Sequence, residues 1–216
     1  MDVVQSLEAR WYFPVESGTA ALLSDWFKQA PLENDGDRKD FYYVDPERPD
    51  LNAKARGGKQ PKLEYKYRVG SIESLRLAPN IEGHVERWTK LSLPVDGGLS
   101  QYSRIIGVSK SRRQRKFAFD GQGVSEVSVT DKPAAGCGVE VTIIQATLGT
   151  KIQTACSFGL EAFGAQLSVE ALFGVVRKLS GDRSDLQLPA SASRNYSSWL
   201  IHSFFDMNDN LNQHQT

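Results

Sequence analysis

The sequence predicts an α+β fold, in which a mostly antiparallel β-sheet is closed or strongly curved into a tunnel-like barrel with flanking helices. Three observations predict it. Apolar and polar residues alternate over most of residues 4–163, as they do along strands whose two faces differ. Turn signals, such as Asp120 followed by Gly121, separate many of these runs. After residue 166 the apolar spacing changes to that of a helix.

The predicted elements begin with a strand over residues 4–14 and a helix over residues 18–28, which Ser17 can cap. The polar stretch Glu33–Lys39 is predicted to be a loop. The strands predicted after this loop are Asp40–Val44, Leu51–Arg56, Lys62–Val69, Ser71–Leu77, His84–Leu93, Tyr102–Phe119, Val124–Thr130, Gly138–Thr147 and Lys151–Phe163.

Two helices complete the prediction. An apolar stripe that includes Leu172 and Leu179 follows a helix start at Ser168. Residues Ser191–Phe205 form the second predicted helix, with apolar residues spaced by four. We expect residues 1–206 to form one domain and residues 207–216 to be a flexible C-terminal tail.

The last two predicted strands indicate that the sheet has a polar interior. Val139 and Val141 alternate with Glu140 and Thr142, and a similar alternation runs through residues 157–163. If the apolar faces pack outward beneath helices, the polar faces line the lumen of a closed or strongly curved sheet.

Composition excludes several classes of protein. The only cysteines, Cys137 and Cys156, have no paired spacing, so neither a disulfide framework nor a zinc site is indicated. No apolar stretch approaches membrane-spanning length, and the first residues do not resemble a secretory leader. We therefore expect a cytoplasmic protein without a membrane partner.

Charge is segregated along the chain, although the net charge is zero. Residues 51–116 contain 15 Lys or Arg and five Asp or Glu, so the middle carries +10 and the flanks together carry −10. Such asymmetry indicates a localised anion site rather than a generally basic surface.

The strand-like run 62–68 places its charges on one face, because side chains alternate along a strand. Lys62, Glu64, Lys66 and Arg68 share that face, and the same spacing recurs at Lys54 with Arg56 and at Lys110 with Arg112. Aligned cations on several strands suit a polyanion. The alternative is the solvated side of an amphipathic sheet.

Seven short motifs follow one another between residues 6 and 161. They read Ser6-Leu-Glu8-Ala-Arg10, Tyr42-Tyr-Val-Asp45, Lys54-Ala-Arg56, Glu64-Tyr-Lys66, Lys110-Ser-Arg112, Val139-Glu140-Val-Thr142 and Gly159-Leu-Glu161. This order resembles the CYTH superfamily, also called triphosphate tunnel metalloenzymes, over roughly residues 4–163. The resemblance implies a CYTH-like domain with a basic β-tunnel.

The resemblance also implies what the tunnel binds. The ligand would be a triphosphate-containing or polyphosphate molecule, such as a phosphorylated small molecule or a nucleotide, with RNA as a further candidate. Carboxylates at Glu8, Glu140 and Glu161 would hold Mg²⁺ or Mn²⁺, which prefer oxygen ligands. The phosphate-binding residues implied are Arg10, Lys54, Arg56, Lys66, Arg68, Lys110 and Arg112.

The chain departs from the family pattern at two carboxylate positions, because Ser6 and Thr142 stand where acidic residues are expected. Metal-dependent triphosphate hydrolysis is therefore an open hypothesis, and no catalytic residue is assigned. The alternatives are a non-catalytic module that binds phosphate or RNA and a structural β protein that binds a partner. The oligomeric state is left open.

Overall fold

The computed structural model describes residues 2–30, 32–34, 39–57, 62–94, 105–165 and 167–205. Strands occupy most of the described chain, with one helix near the N-terminus and two near the C-terminus. In chain order the elements are β1 (Asp2–Phe13), α1 (Gly18–Trp26), β2 (Leu32–Asn34), β3 (Asp40–Tyr43), β4 (Leu51–Arg56), β5 (Lys62–Ala78), β6 (Ile81–Pro94), β7 (Ile105–Phe119), β8 (Val124–Val127), β9 (Ala135–Leu148), β10 (Lys151–Gly164), α2 (Val169–Asp182), a 3₁₀ turn (Ala190–Ala192) and α3 (Tyr196–Phe205).

Eight strands close into an antiparallel barrel. Their order is β7-β3-β4-β5-β6-β1-β10-β9, and β9 pairs again with β7 to complete the ring. The short strands β2 and β8 add to β7 outside this ring. Closure removes the unpaired strand edges of an open sheet. The predicted α+β class with a closed, tunnel-like barrel is confirmed.

Helices α1 and α2 cover one outer side of the barrel. Ser17 and Ser168 cap their first turns through side-chain oxygens that accept backbone N–H groups, as the sequence predicted for Ser17. Outward-facing Trp11 and Phe158 are fully buried beneath them. Because side chains alternate, this burial directs the polar positions of the same strands into the lumen.

Helix α3 closes one end of the barrel. Its Trp199 and Leu200 pack against inward-facing apolar residues at that end. Ser197 donates its hydroxyl to the Leu51 carbonyl oxygen at 2.7 Å and so fixes the helix to β4. The barrel residues in this inner cluster are Tyr12, Tyr42, Val44, Ile106, Val108, Ile144, Ala146 and Ala155.

The other outer side differs from the side beneath α1 and α2. Val3, Phe41, Tyr43 and Tyr67 are exposed there on the outward faces of their strands. A structural β protein that binds a partner was one of the sequence-based alternatives, and it stays a prediction. No helix in the described part of the chain is long and apolar enough to span a membrane.

Three of the local expectations that differ from the structure concern whole segments. Residues 62–78 form one strand instead of two, with an irregular register after Val69 and a positive φ of 81° at Gly70. The predicted loop Glu33–Lys39 overlaps β2, because Glu33 pairs with β7. The last helix begins at residue 196 rather than 191.

The later start of α3 has a visible cause. The Ser193 hydroxyl accepts a hydrogen bond from the His84 backbone N–H at 2.9 Å, and the Arg194 N–H donates to the Arg10 carbonyl oxygen at 3.0 Å. These contacts hold the segment against β1 and β6 in a non-helical conformation. The predicted tail, residues 207–216, lies outside the described residues.

Candidate functional site

The barrel lumen contains a cavity of about 220 Å³ bordered mostly by charged side chains. Six of the seven predicted phosphate-binding residues line it, as do all three predicted metal ligands. Eight Lys or Arg and six Asp or Glu face it, an excess of two positive charges. The charged lining residues are Glu8, Arg10, Asp40, Lys54, Arg56, Glu64, Lys66, Glu86, Lys90, Lys110, Arg112, Glu140, Glu161 and Arg194.

Arg68 is the predicted residue that does not line the cavity. Its Nη1 donates to Glu86 Oε1 at 3.1 Å, and Glu86 itself is buried and does line the cavity. Asn195 Nδ2 donates to the same carboxylate oxygen at 3.1 Å. Arg68 therefore neutralises a residue of the cavity wall without lining the cavity itself.

Arg10 and Glu140 form the shortest ion pair on the β9–β10 wall. Arg10 Nη2 lies 2.7 Å from Glu140 Oε1, and its Nη1 donates to Ser157 Oγ at 3.1 Å. Gln114 Nε2 donates to the other carboxylate oxygen at 3.3 Å. Burial alone would raise the pKa of Glu140, but the attraction of Arg10 and neighbouring cations lowers it from 4.5 to about 2.

The lowered pKa of Glu140 predicts how the free energy of unfolding depends on pH. Because the folded-state pKa is below the unfolded value, ionised Glu140 contributes stability that is complete above pH 4.5 and is lost as the pH falls toward 2. We expect the free energy of unfolding to fall less steeply over that range for Glu140→Gln than for the wild type. Urea unfolding at several pH values measures this, and equal slopes would contradict it.

Lys66 lies between two glutamates on the neighbouring wall. Its Nζ is 2.6 Å from Glu8 Oε1 and 4.0 Å from Glu161 Oε2. Burial alone would lower the pKa of Lys66, but the two carboxylates raise it to about 12. For Glu161, Lys66 favours the ionised form, yet Glu8, burial and Glu140 together raise its pKa.

Lys54 bridges two carboxylates that are almost completely buried. Its Nζ lies 3.3 Å from Asp40 Oδ2 and 3.0 Å from Glu64 Oε2, and the side chains of these acids are 3% and 6% exposed. Arg56 at 3.7 Å and Lys90 at 3.9 Å also approach Glu64. Burial would lower the pKa of Lys54, but Tyr42 and the two carboxylates raise it.

Lys110 lies deeper, beside the aromatic cluster at the closed end. Its Nζ donates to Tyr42 Oη at 2.8 Å and lies 4.4 Å from the centre of the Tyr196 ring. Burial and the nearby Lys54 lower the pKa of Lys110. Burial alone would raise the pKa of Tyr42, but the two ammonium groups lower it.

The carboxylates in the lumen do not form a ready metal centre. Glu8 accepts hydrogen bonds from Ser6 at 2.5 Å and from Lys66, and Glu140 is held by Arg10. Within the described residues, no group of three or more His, Cys, Asp or Glu is arranged to hold a metal ion. As placed, Glu8 and Glu140 are occupied by cationic side chains, so the three predicted ligands do not form a site that fits Mg²⁺ or Mn²⁺.

Comparisons with known proteins identify the fold. Neither a family model nor a curated protein matches the sequence. The RNA triphosphatase domain of the trifunctional mimivirus mRNA capping enzyme superimposes with a TM-score of 0.50. That alignment has 10% sequence identity and covers 84% of this chain and 90% of the viral domain. The two proteins share a barrel fold.

Two other solved structures align less well. A chain of the Schizosaccharomyces pombe Mediator head module has a TM-score of 0.45 at 10% identity, covering 83% of this chain and 94% of its own length. The S. pombe RNA triphosphatase Pct1 has a TM-score of 0.41 at 13% identity, covering 85% and 78%. The closed barrel that the resemblance implies is shown by the strand pairing, while membership of the CYTH superfamily stays a prediction.

The sequence analysis did not assign several residues that line the cavity. Asp40, Glu64 and Glu86 supply half of the acidic lining, and Lys90 supplies a further cation. Glu64 could have been found, because it shares the strand face of Lys66. Arg194, Asn195 and Tyr196 come from an irregular segment and the start of α3, where periodicity gives no signal.

Proposed function

We propose that the tunnel binds a triphosphate-containing or polyphosphate ligand through its inward Lys and Arg side chains. The observation that carries this proposal is that cations from β1, β4, β5 and β7 converge on one cavity inside the barrel. A solvated sheet face would spread such charges over the surface instead. Charge-assisted hydrogen bonds from Lys and Arg to phosphate oxygens are roughly twice as strong as those between neutral groups.

Binding would work by exchange of partners. In the free protein the cations are held by carboxylates, so they are already oriented and the lumen does not contain a large unbalanced charge. A phosphate chain would take hydrogen bonds from Lys66 and Arg112 in place of those carboxylates. The excess of two positive lining charges favours the anion.

We further propose that this binding does not depend on a divalent metal, since the lumen carboxylates are paired with cations. Metal-dependent hydrolysis, the activity implied by the family resemblance, is then a separate property to be measured. A non-catalytic phosphate-binding module and a triphosphatase predict different behaviour toward a chelator.

Calorimetric titration with inorganic tripolyphosphate tests the proposal. We expect binding that persists in EDTA and weakens as salt rises, since the contacts are electrostatic. Release of orthophosphate, assayed with Mg²⁺, with Mn²⁺ and with EDTA, reports hydrolysis. Absence of binding to tripolyphosphate and to a 5′-triphosphorylated RNA oligonucleotide would disprove the proposed function.

A matched pair of variants locates the site. Arg112→Gln removes a cation inside the tunnel, and Arg76→Gln removes one whose side chain is 72% exposed outside it. A hydrogen bond to a charged group contributes roughly 1.5–3 kcal/mol, so we expect Arg112→Gln to weaken tripolyphosphate binding about tenfold or more. Arg76→Gln should change the affinity less than about twofold. Equal effects would place the site elsewhere.

A further inference from the structure

A second cavity adjoins the first and shares three residues with it. It has a volume of about 490 Å³ and lies among β7, β9, β10 and the segment around residues 129–133. Arg10, Glu140 and Glu161 line both cavities. The Arg10–Glu140 ion pair therefore stands at the junction between them.

Arg10 lies flat against the wall at this junction. Its guanidinium is held between Ser157 Oγ and Glu140 Oε1, and the residue directly opposite on β10 is Gly159. A Cβ atom on Gly159 would lie 2.6 Å from Arg10 Nη2, 2.7 Å from Cζ and 3.0 Å from Nη1. The guanidinium thus occupies the space that any other side chain at this position would fill.

The backbone conformation at residue 159 does not explain why a glycine is found there. Gly159 is not among the described glycines with positive φ, which are Gly70, Gly121, Gly149 and Gly164. Glycine inside a strand is unfavourable by roughly 0.5–1 kcal/mol relative to alanine. In a strand it often marks a place where another group approaches closely, and here that group is the Arg10 side chain.

We propose that Gly159 positions Arg10 against the tunnel wall and thereby keeps the passage between the two cavities open to a phosphate chain. This inference rests on the proposed function for its ligand. A larger side chain at residue 159 would push the guanidinium toward the lumen, away from Glu140, and obstruct the junction. The ligand class is then a phosphate chain that extends from one cavity into the other.

A pair of glycine-to-alanine variants tests this positioning role. Gly107 is on β7 and lines neither cavity, and a Cβ there meets nothing closer than Phe41 Cε1 at 3.9 Å. Gly107→Ala therefore makes the same chemical change inside a strand of the same barrel without touching Arg10. It is the matched control for Gly159→Ala.

Two readouts are expected to separate the variants. The side-chain resonances of Arg10, followed by ¹⁵N NMR, should shift in Gly159→Ala, because the guanidinium leaves Ser157 and Glu140, and they should be unchanged in Gly107→Ala. Tripolyphosphate binding should weaken at least tenfold in Gly159→Ala and less than threefold in Gly107→Ala. Unchanged Arg10 resonances in Gly159→Ala, or equal effects of the two substitutions, would overturn the inference.

The double mutant Arg10→Ala/Gly159→Ala distinguishes a collision with Arg10 from a general folding defect. If the collision with Arg10 is the cause, Gly159→Ala should have no further effect on stability or affinity in an Arg10→Ala background. An additive loss would show that Gly159 acts independently of Arg10. Because the NMR measurement on Arg10 needs no ligand, it tests the position of Arg10 even if tripolyphosphate fails to bind the wild type and the proposed function falls.

Discussion

Replacing Lys54 with methionine is expected to lower the free energy of unfolding by about 3 kcal/mol. Removing one partner from a buried ion pair costs roughly 3–5 kcal/mol, because the remaining charge is left without compensation. Here two nearly buried carboxylates, Asp40 and Glu64, each lose a cation that lies within 3.3 Å. We expect the lower end of the range because Lys110, at 3.9 Å from Asp40, and the neighbours of Glu64 stay in place.

The effect should depend on pH in a defined direction. Burial alone would raise the pKa of Glu64, but Lys54 lowers it below 4.5 in the folded protein. That stabilisation is present above pH 4.5 and is lost as the pH falls. The deficit of Lys54→Met should therefore be larger at pH 7 than at pH 3.

Lys28→Met supplies the control for this substitution. Lys28 pairs with Asp25 on the surface at 3.2 Å, with 63% of its side chain exposed. Exposed ion pairs contribute roughly 0–1 kcal/mol, so this change should be nearly neutral in the same urea titrations. If both variants lost equal stability, Lys54 would not be acting as the bridge between buried charges.

The sequence predicted the wall of the tunnel because strand periodicity determines which residues share a face. Lys54, Lys66 and Arg112 follow from this alternation alone. The same parity placed Glu140 opposite the apolar residues that pack under α1 and α2. Such predictions need only local chain geometry.

Strand register explains what could not be predicted. Whether Lys66 would lie beside Glu8 or beside another acid depends on how β1, β5 and β6 are aligned, and no periodic pattern contains this information. The resemblance implied metal ligands at Glu8 and Glu140, and only the register revealed that each meets a cation. The sequence also did not predict that α3 closes one end of the barrel, because this depends on contacts with strands that are far away in the sequence.

Trp199→Ala is expected to lower the free energy of unfolding by about 3–5 kcal/mol, the range for truncating a large buried aromatic residue. Trp199 is 7% exposed and stacks on Tyr12 with ring centres 5.1 Å apart. It also meets Tyr196 edge-on at 5.9 Å. Urea unfolding measures the loss, and near-UV circular dichroism should show weaker signals from the aromatic cluster.

Trp199→Ala should also weaken the binding of tripolyphosphate. Trp199 supports Tyr196, Tyr196 stacks on Tyr42, and Tyr42 accepts the hydrogen bond from Lys110. Phe205→Ala, at the half-buried end of α3, is the control and should cost about 1 kcal/mol. Trp199→Phe, which keeps an aromatic ring at this position, should retain most of the wild-type stability and tripolyphosphate affinity. A loss below 1 kcal/mol for Trp199→Ala would mean that α3 does not close this end of the barrel in solution.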